Sequence, residues 1–211
     1  MGIVVSLDAR RQGRPSLPGL RDRARTAFHF DLADPGTYLA AERVDRLFPG
    51  ISWIATSVPA RSAADDDLAA RADALHMPLV WPEHHPAPRP AAMRAAAYAA
   101  EQGRGAAFVL AASRLAFCGG FDLDDPEVLA EAAAAAGIGL RECLHAAGET
   151  VRDDAASDEG RRLHAAGADR LPVVRVGRLI FPGEHRVTAA AAAWRDGAPV
   201  RRRTTSQTET A

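Results

Sequence analysis

Between residues 26 and 58 the chain changes its hydrophobic period twice, and that change constrains the fold more than any other feature. Ala27-Phe28-His29-Phe30-Asp31-Leu32 alternates apolar and polar side chains, the spacing of a strand with one buried face. Asp34-Pro35-Gly36-Thr37 then places a capping residue before a Pro at a first helical position. Leu39, Ala40, Val44, Leu47 and Phe48 follow at helical spacing until Pro49-Gly50 stops the run. Ile51 to Val58 has the β-branched and aromatic content of a buried strand. Two strands joined through a helix pair in parallel, so the segment predicts a βαβ unit.

The rest of the chain fits around that unit. A polar loop over 59–75 runs into a short helix near Asp67 to Leu75, and the prolines at 78, 82, 86, 88 and 90 force an extended segment. From 91 to 166 the composition turns Ala-rich, with helical patterns near 91–102, 105–118, 126–136, 139–146 and 157–166, punctuated by Gly137 and Gly139. Leu171 to Phe181 reads as a β-hairpin turning at Gly177, and a last helix follows near Val187 to Trp194. The expected class is therefore α/β, with 26–90 and 167–200 forming one domain and 91–166 an all-helical lobe inserted in it. Residues 1–25 read as an N-terminal extension and 201–211 as a disordered tail.

Charge and cysteine usage narrow the function. The 26 basic residues, all Arg, balance 27 acidic ones to a net charge of -1, which does not support nucleic-acid binding. No apolar run reaches the roughly 20 residues of a membrane helix. The apolar patch Ile3 to Leu7 is too short for a secretory signal, which makes a reducing cytoplasm the expected compartment. Cys118 and Cys143 lie far apart and form no Cys-x-x-Cys pair, so dithiol redox work is not expected; both read as small structural hydrophobes.

The ordered layout resembles the DsbA-like thioredoxin-fold family, in the branch of 2-hydroxychromene-2-carboxylate isomerases and kappa-class glutathione transferases. The resemblance rests on Phe30 to Ala40, Pro78 to Pro82, Ala112 to Phe117 with Asp125 to Leu129, Leu171 to Val176, and Phe181 to Arg186. It implies a thioredoxin-like fold with an inserted helical lobe, and a thiol-dependent isomerase or transferase that uses glutathione or another low-molecular-weight thiol. The implied substrate is a small aromatic or unsaturated acid, and the implied assembly a homodimer. The alternative is a catalytically divergent binding protein on the same scaffold, without redox activity.

Site residues follow from the same resemblance. The family turn reads Ser-Pro-x-Ser-Tyr, and Asp34, Thr37 and Tyr38 stand in its place as the catalytic candidates. A carboxylate at Asp34 opposes a thiolate, whereas Thr37 keeps a hydroxyl; read from its neighbours alone, Asp34 is simply a good helix cap. Leu171 and Pro172, joined by an implied cis peptide, and Glu184 and His185 are the expected thiol-binding groups. The expected pocket lies between these segments and the Asp34 turn, under the helical lobe. Adjacent His84 and His85 in an extended segment point apart, so no metal site is read there. His29 and Asp31 share a strand face and receive no role.

Overall fold

The computed structural model describes residues 26–57 and 66–197; the N-terminal extension, the tail and part of the loop after the second strand lie outside them. In chain order the elements are β1 (Thr26–Phe30), α1 (Pro35–Leu47), β2 (Ser52–Ala55), α2 (Asp66–Ala74), α3 (Pro90–Glu101), α4 (Gly105–Phe117), α5 (Pro126–Ala136), α6 (Leu140–Gly148), α7 (Asp153–Ala165), β3 (Val173–Val176), β4 (Leu179–Pro182) and α8 (Val187–Gly197).

Local chemistry sets the boundaries. Asp34 accepts from the amides of Gly36 and Thr37 at the start of α1, and Pro35 sits where its missing N–H costs nothing. Gly137 ends α5 with a φ of 67°, a conformation that strains any residue with a Cβ. β1 and β2 pair in parallel with Phe28 opposite Trp53, while β3 runs antiparallel to β1 and β4 antiparallel to β3. The sheet order is β2-β1-β3-β4.

Phe28 and Phe30 point to one face of the sheet and are fully buried in a core with Leu39 and Val44 of α1 and Val187 of α8. The opposite face departs from expectation. All of β1 is buried, His29 included, although alternation predicts one wet face. The reason is α7, which composition groups with the lobe but which also lies against the sheet. Leu163 packs with Val173, Glu159 Oε1 comes within 3.6 Å of His29 Nδ1, and the Ser57 amide donates to the Ala156 carbonyl.

The lobe docks on β2 through small residues. Ala92, Ala95, Ala96 and Ala99 form the buried stripe of α3. A Cβ built on Gly105 would sit 3.0 Å from the Cβ of Trp53, so the start of α4 touches the sheet edge. The proline-rich segment is tied to α4 by a 2.8 Å hydrogen bond from the Val80 amide to the Phe117 carbonyl. Among the described residues no helix is long and apolar enough to cross a membrane.

Candidate functional site

The start of α1 is the natural place to look, since the fold aims unpaired amides outward there. Here the chain fills that place itself. Asp34 Oδ1 accepts from the Gly36 amide at 3.1 Å, and Oδ2 accepts from the Thr37 amide at 3.1 Å and from the Thr37 hydroxyl at 3.2 Å. The Thr37 oxygen in turn accepts from the Asp31 amide at 3.3 Å. Thr37 is fully buried with its proton committed to Asp34, so it cannot serve as the free donor expected of it. Asp34 keeps partial contact with solvent. Burial pushes its carboxyl up to about 7, the nearby Asp31 charge adds to the rise, and the Gly36 and Thr37 bonds oppose it.

The Leu171–Pro172 peptide bond is cis. Pro172 lies against the turn: a Cβ on Gly36 would be 3.2 Å from Pro172 Cδ and 3.2 Å from both Asp34 oxygens. Leu171 is half-buried beside Leu163 and Ala168, and the Pro172 carbonyl accepts from the Gly183 amide at 2.7 Å. The other two candidates are placed otherwise than expected. Glu184 is only 3% exposed, with its carboxylate held by Arg43 at 2.9 Å and by Arg71. Spent on two guanidiniums of its own chain, it offers nothing to a thiol ligand. His185 is exposed on the turn before α8.

Tyr38 belongs to a different feature. Its hydroxyl donates to the Pro78 carbonyl at 2.9 Å and its ring stacks on Phe117. Burial, with Cys118 and Glu42 alongside, pushes the phenol up to about 12. It lines a groove of about 340 Å³ at the seam of α1 and the lobe. Glu42, Arg43 and Arg46 of α1 form one wall, Leu75, Met77 and Pro78 the other, and Arg114 and Cys118 close it at the end of α4. The expected pocket thus shares only Tyr38 with the observed one. Asp34, Leu171, Pro172, Glu184 and His185 do not line it, because Pro172 packs directly on Gly36 and Glu184 is turned inward.

Cys118 also corrects its sequence reading: it is exposed, whereas Cys143 is fully buried and burial raises its thiol. Apart from Tyr38, no groove residue was read as functional from the sequence. Tyr38, Glu42 and Arg46 recur every four positions on α1, which is equally the spacing of an ordinary solvated helix face. His84 bonds to Asp122 at 2.9 Å, and the described residues contain no cluster able to hold a metal ion.

A parallel βαβ unit, a helical insertion and an antiparallel hairpin opening on a cis-Pro against the first helix define a DsbA-like thioredoxin fold, here without cysteines at the turn. No protein-family model matches the chain, and no curated protein matches it in sequence. Solved structures do. A 2-hydroxychromene-2-carboxylate isomerase superposes with a TM-score of 0.66 at 16% identity, over 81% of this chain and 94% of the other. A "probable DsbA oxidoreductase" from Streptomyces coelicolor gives a TM-score of 0.62 at 21% identity, over 82% of this chain and 88% of the other. At these identities the likeness is one of fold.

Proposed function

We propose that the chain is a catalytically divergent DsbA-like thioredoxin-fold protein, one that binds a small molecule and performs no redox chemistry. One observation carries this reading: the Asp34 carboxylate occupies the amides at the start of α1, where a bound thiolate would have to be stabilised. The Asp34 oxygens already take the amides a thiolate would need, and whenever Asp34 is ionised it also repels a second anion. A reducing cytoplasm suits the two unpaired cysteines.

A second reading is favoured by the raised Asp34 pKa together with the likeness to the isomerase. Near neutrality part of the Asp34 population is protonated, and a neutral carboxyl donates to sulfur instead of repelling it. The chain would then be a glutathione-dependent isomerase of a small aromatic or unsaturated acid, working below pH 7. Calorimetric titration with glutathione at pH 6 and pH 8 separates the two. The leading reading expects no binding by the parent at either pH and measurable binding by Asp34→Ser, whose hydroxyl caps the helix and donates to sulfur. Binding by the parent at pH 6 that vanishes at pH 8 supports the isomerase. Parent affinity tighter than about 1 mM at pH 8 sinks the leading reading.

A further inference from the structure

The groove at the seam of α1 and the lobe has a shape and a charge that the Asp34 turn does not explain. Its helical wall runs from Tyr38 to Arg46, eight residue steps or about 12 Å of helix axis. It is therefore elongated, and its volume of about 340 Å³ falls at the small end of ligand pockets, about 300 to 1,000 Å³. Leu75, Met77 and Pro78 make the facing wall apolar, and Met is a side chain that adapts to a flexible partner.

The lining carries three guanidiniums, of which two are matched. Arg43 is held by Glu184, and Arg114 by Glu42 at 2.5 Å. Arg46 is exposed and, among the described residues, donates only to the Glu42 carbonyl of its own helix at 3.2 Å. Among the described residues the groove thus holds one cation without a counter-charge, at the far end from Tyr38. A single unmatched guanidinium calls for one carboxylate, and a guanidinium fork suits that shape.

We propose that this groove binds an elongated aliphatic monocarboxylate, with its carboxylate on Arg46 and its chain along Leu75, Met77 and Pro78 toward Tyr38 and Cys118. An extended chain of about eight carbons, rising roughly 1.25 Å per bond, spans about 9 Å and fits within the length available. The inference stands apart from the thiol question, since Tyr38 is the only turn residue that reaches the groove.

The protein carries its own reporter. Cys118 is exposed at the groove and Cys143 is fully buried, so alkylation of the folded chain by iodoacetamide reads Cys118 alone. The probe is octanoate, with acetate, octanol and octylamine as comparisons and mass spectrometry confirming that Cys143 stays unmodified. Octanoate should slow Cys118 alkylation, and the three comparisons should not. Arg46→Gln, with an unchanged melting temperature, should require roughly five- to tenfold more octanoate for equal protection. Asp34→Ser should protect like the parent. No slowing by octanoate, equal slowing by octanol, or equal protection in Arg46→Gln each overturns the proposal. Loss of protection in Asp34→Ser overturns a groove separate from the turn, whatever glutathione does.

Discussion

At the scale of single residues, two titrating groups tie stability to pH in opposite directions. Asp34 titrates near 7 in the folded chain against 3.8 for an ordinary Asp, so between those values the folded state holds the proton more tightly. Stability then falls as pH rises through that interval. A carboxyl in partial contact with solvent keeps some hydration, which brings the loss to on the order of 1 to 2 kcal/mol. Asp34→Asn retains a capping acceptor without the charge, so urea unfolding should show it gaining on the parent by about that amount between pH 5 and pH 8. Parallel curves would mean that Asp34 is as well hydrated folded as unfolded. His29 works the other way. The Thr56 hydroxyl donates to the Ile54 carbonyl at 3.1 Å, so its oxygen receives the Nδ1 proton of His29, and Nε2 is left bare and unpartnered among the described residues. Burial lowers this ring from 6.5 to about 4, Glu159 opposing the shift and Arg175 adding to it. The stability of burying neutral His29 is complete above 6.5 and is lost as pH falls toward 4, by up to about 3 kcal/mol. His29→Leu should flatten the parent's acid limb over that range; an unchanged limb would rule this out.

At the scale of elements, Glu184 is the joint between parts far apart in sequence. It binds Arg43 of α1 and Arg71 of α2 from the turn that opens α8, and Arg43 also donates to the Glu184 carbonyl at 2.6 Å. Glu184→Ala takes the shared carboxylate from two partly shielded guanidiniums, leaving Arg71 with Asp67 and Arg43 with backbone carbonyls, at a cost of roughly 1 to 3 kcal/mol given their residual exposure. Chemical denaturation should show that loss, and a loss below about 1 kcal/mol would reduce the joint to a surface pair. Nothing in the sequence marked Glu184 for this duty, because its partners lie 141 residues and more than a hundred residues away. What was legible was local: Asp34-Pro35 and Asp125-Pro126 announce α1 and α5 through side chains that bond amides within three positions. The second face of β1 was not legible, since only the arrival of Glu159 and Leu163 from α7 makes it dry. α7 itself begins at Asp153, a turn before its apolar spacing starts, because Asp153 is anchored to Arg94 of the lobe.

For the molecule as a whole, the fold could be read from the order of its segments, whereas the groove could not, because it is made where α1, the chain after α2 and the end of α4 converge. The same separation of scaffold from chemistry yields the last prediction. The thioredoxin-like fold is complete at this point: α1 opens on a turn against Pro172, and its amides face the first turn residue. The reacting groups are missing, as Asp34 and Thr37 hold the two turn positions and Cys118 and Cys143 are free and lie outside it. The parent should therefore leave insulin reduction by dithiothreitol at its uncatalysed rate. Asp34→Cys with Thr37→Cys places Cys-Pro-Gly-Cys at the helix start, where the macrodipole and free amides lower the first thiol's pKa and raise its thiolate fraction. That double variant should accelerate insulin precipitation, and its first cysteine should react with iodoacetamide faster than Cys118 does. Catalysis by the parent, surviving replacement of Cys118 and Cys143 by Ser, would refute the claim that the turn is chemically silent. A folded double variant with two slow thiols would show instead that burial around Asp34 and Thr37, rather than the lost cysteines alone, has closed the site to exchange.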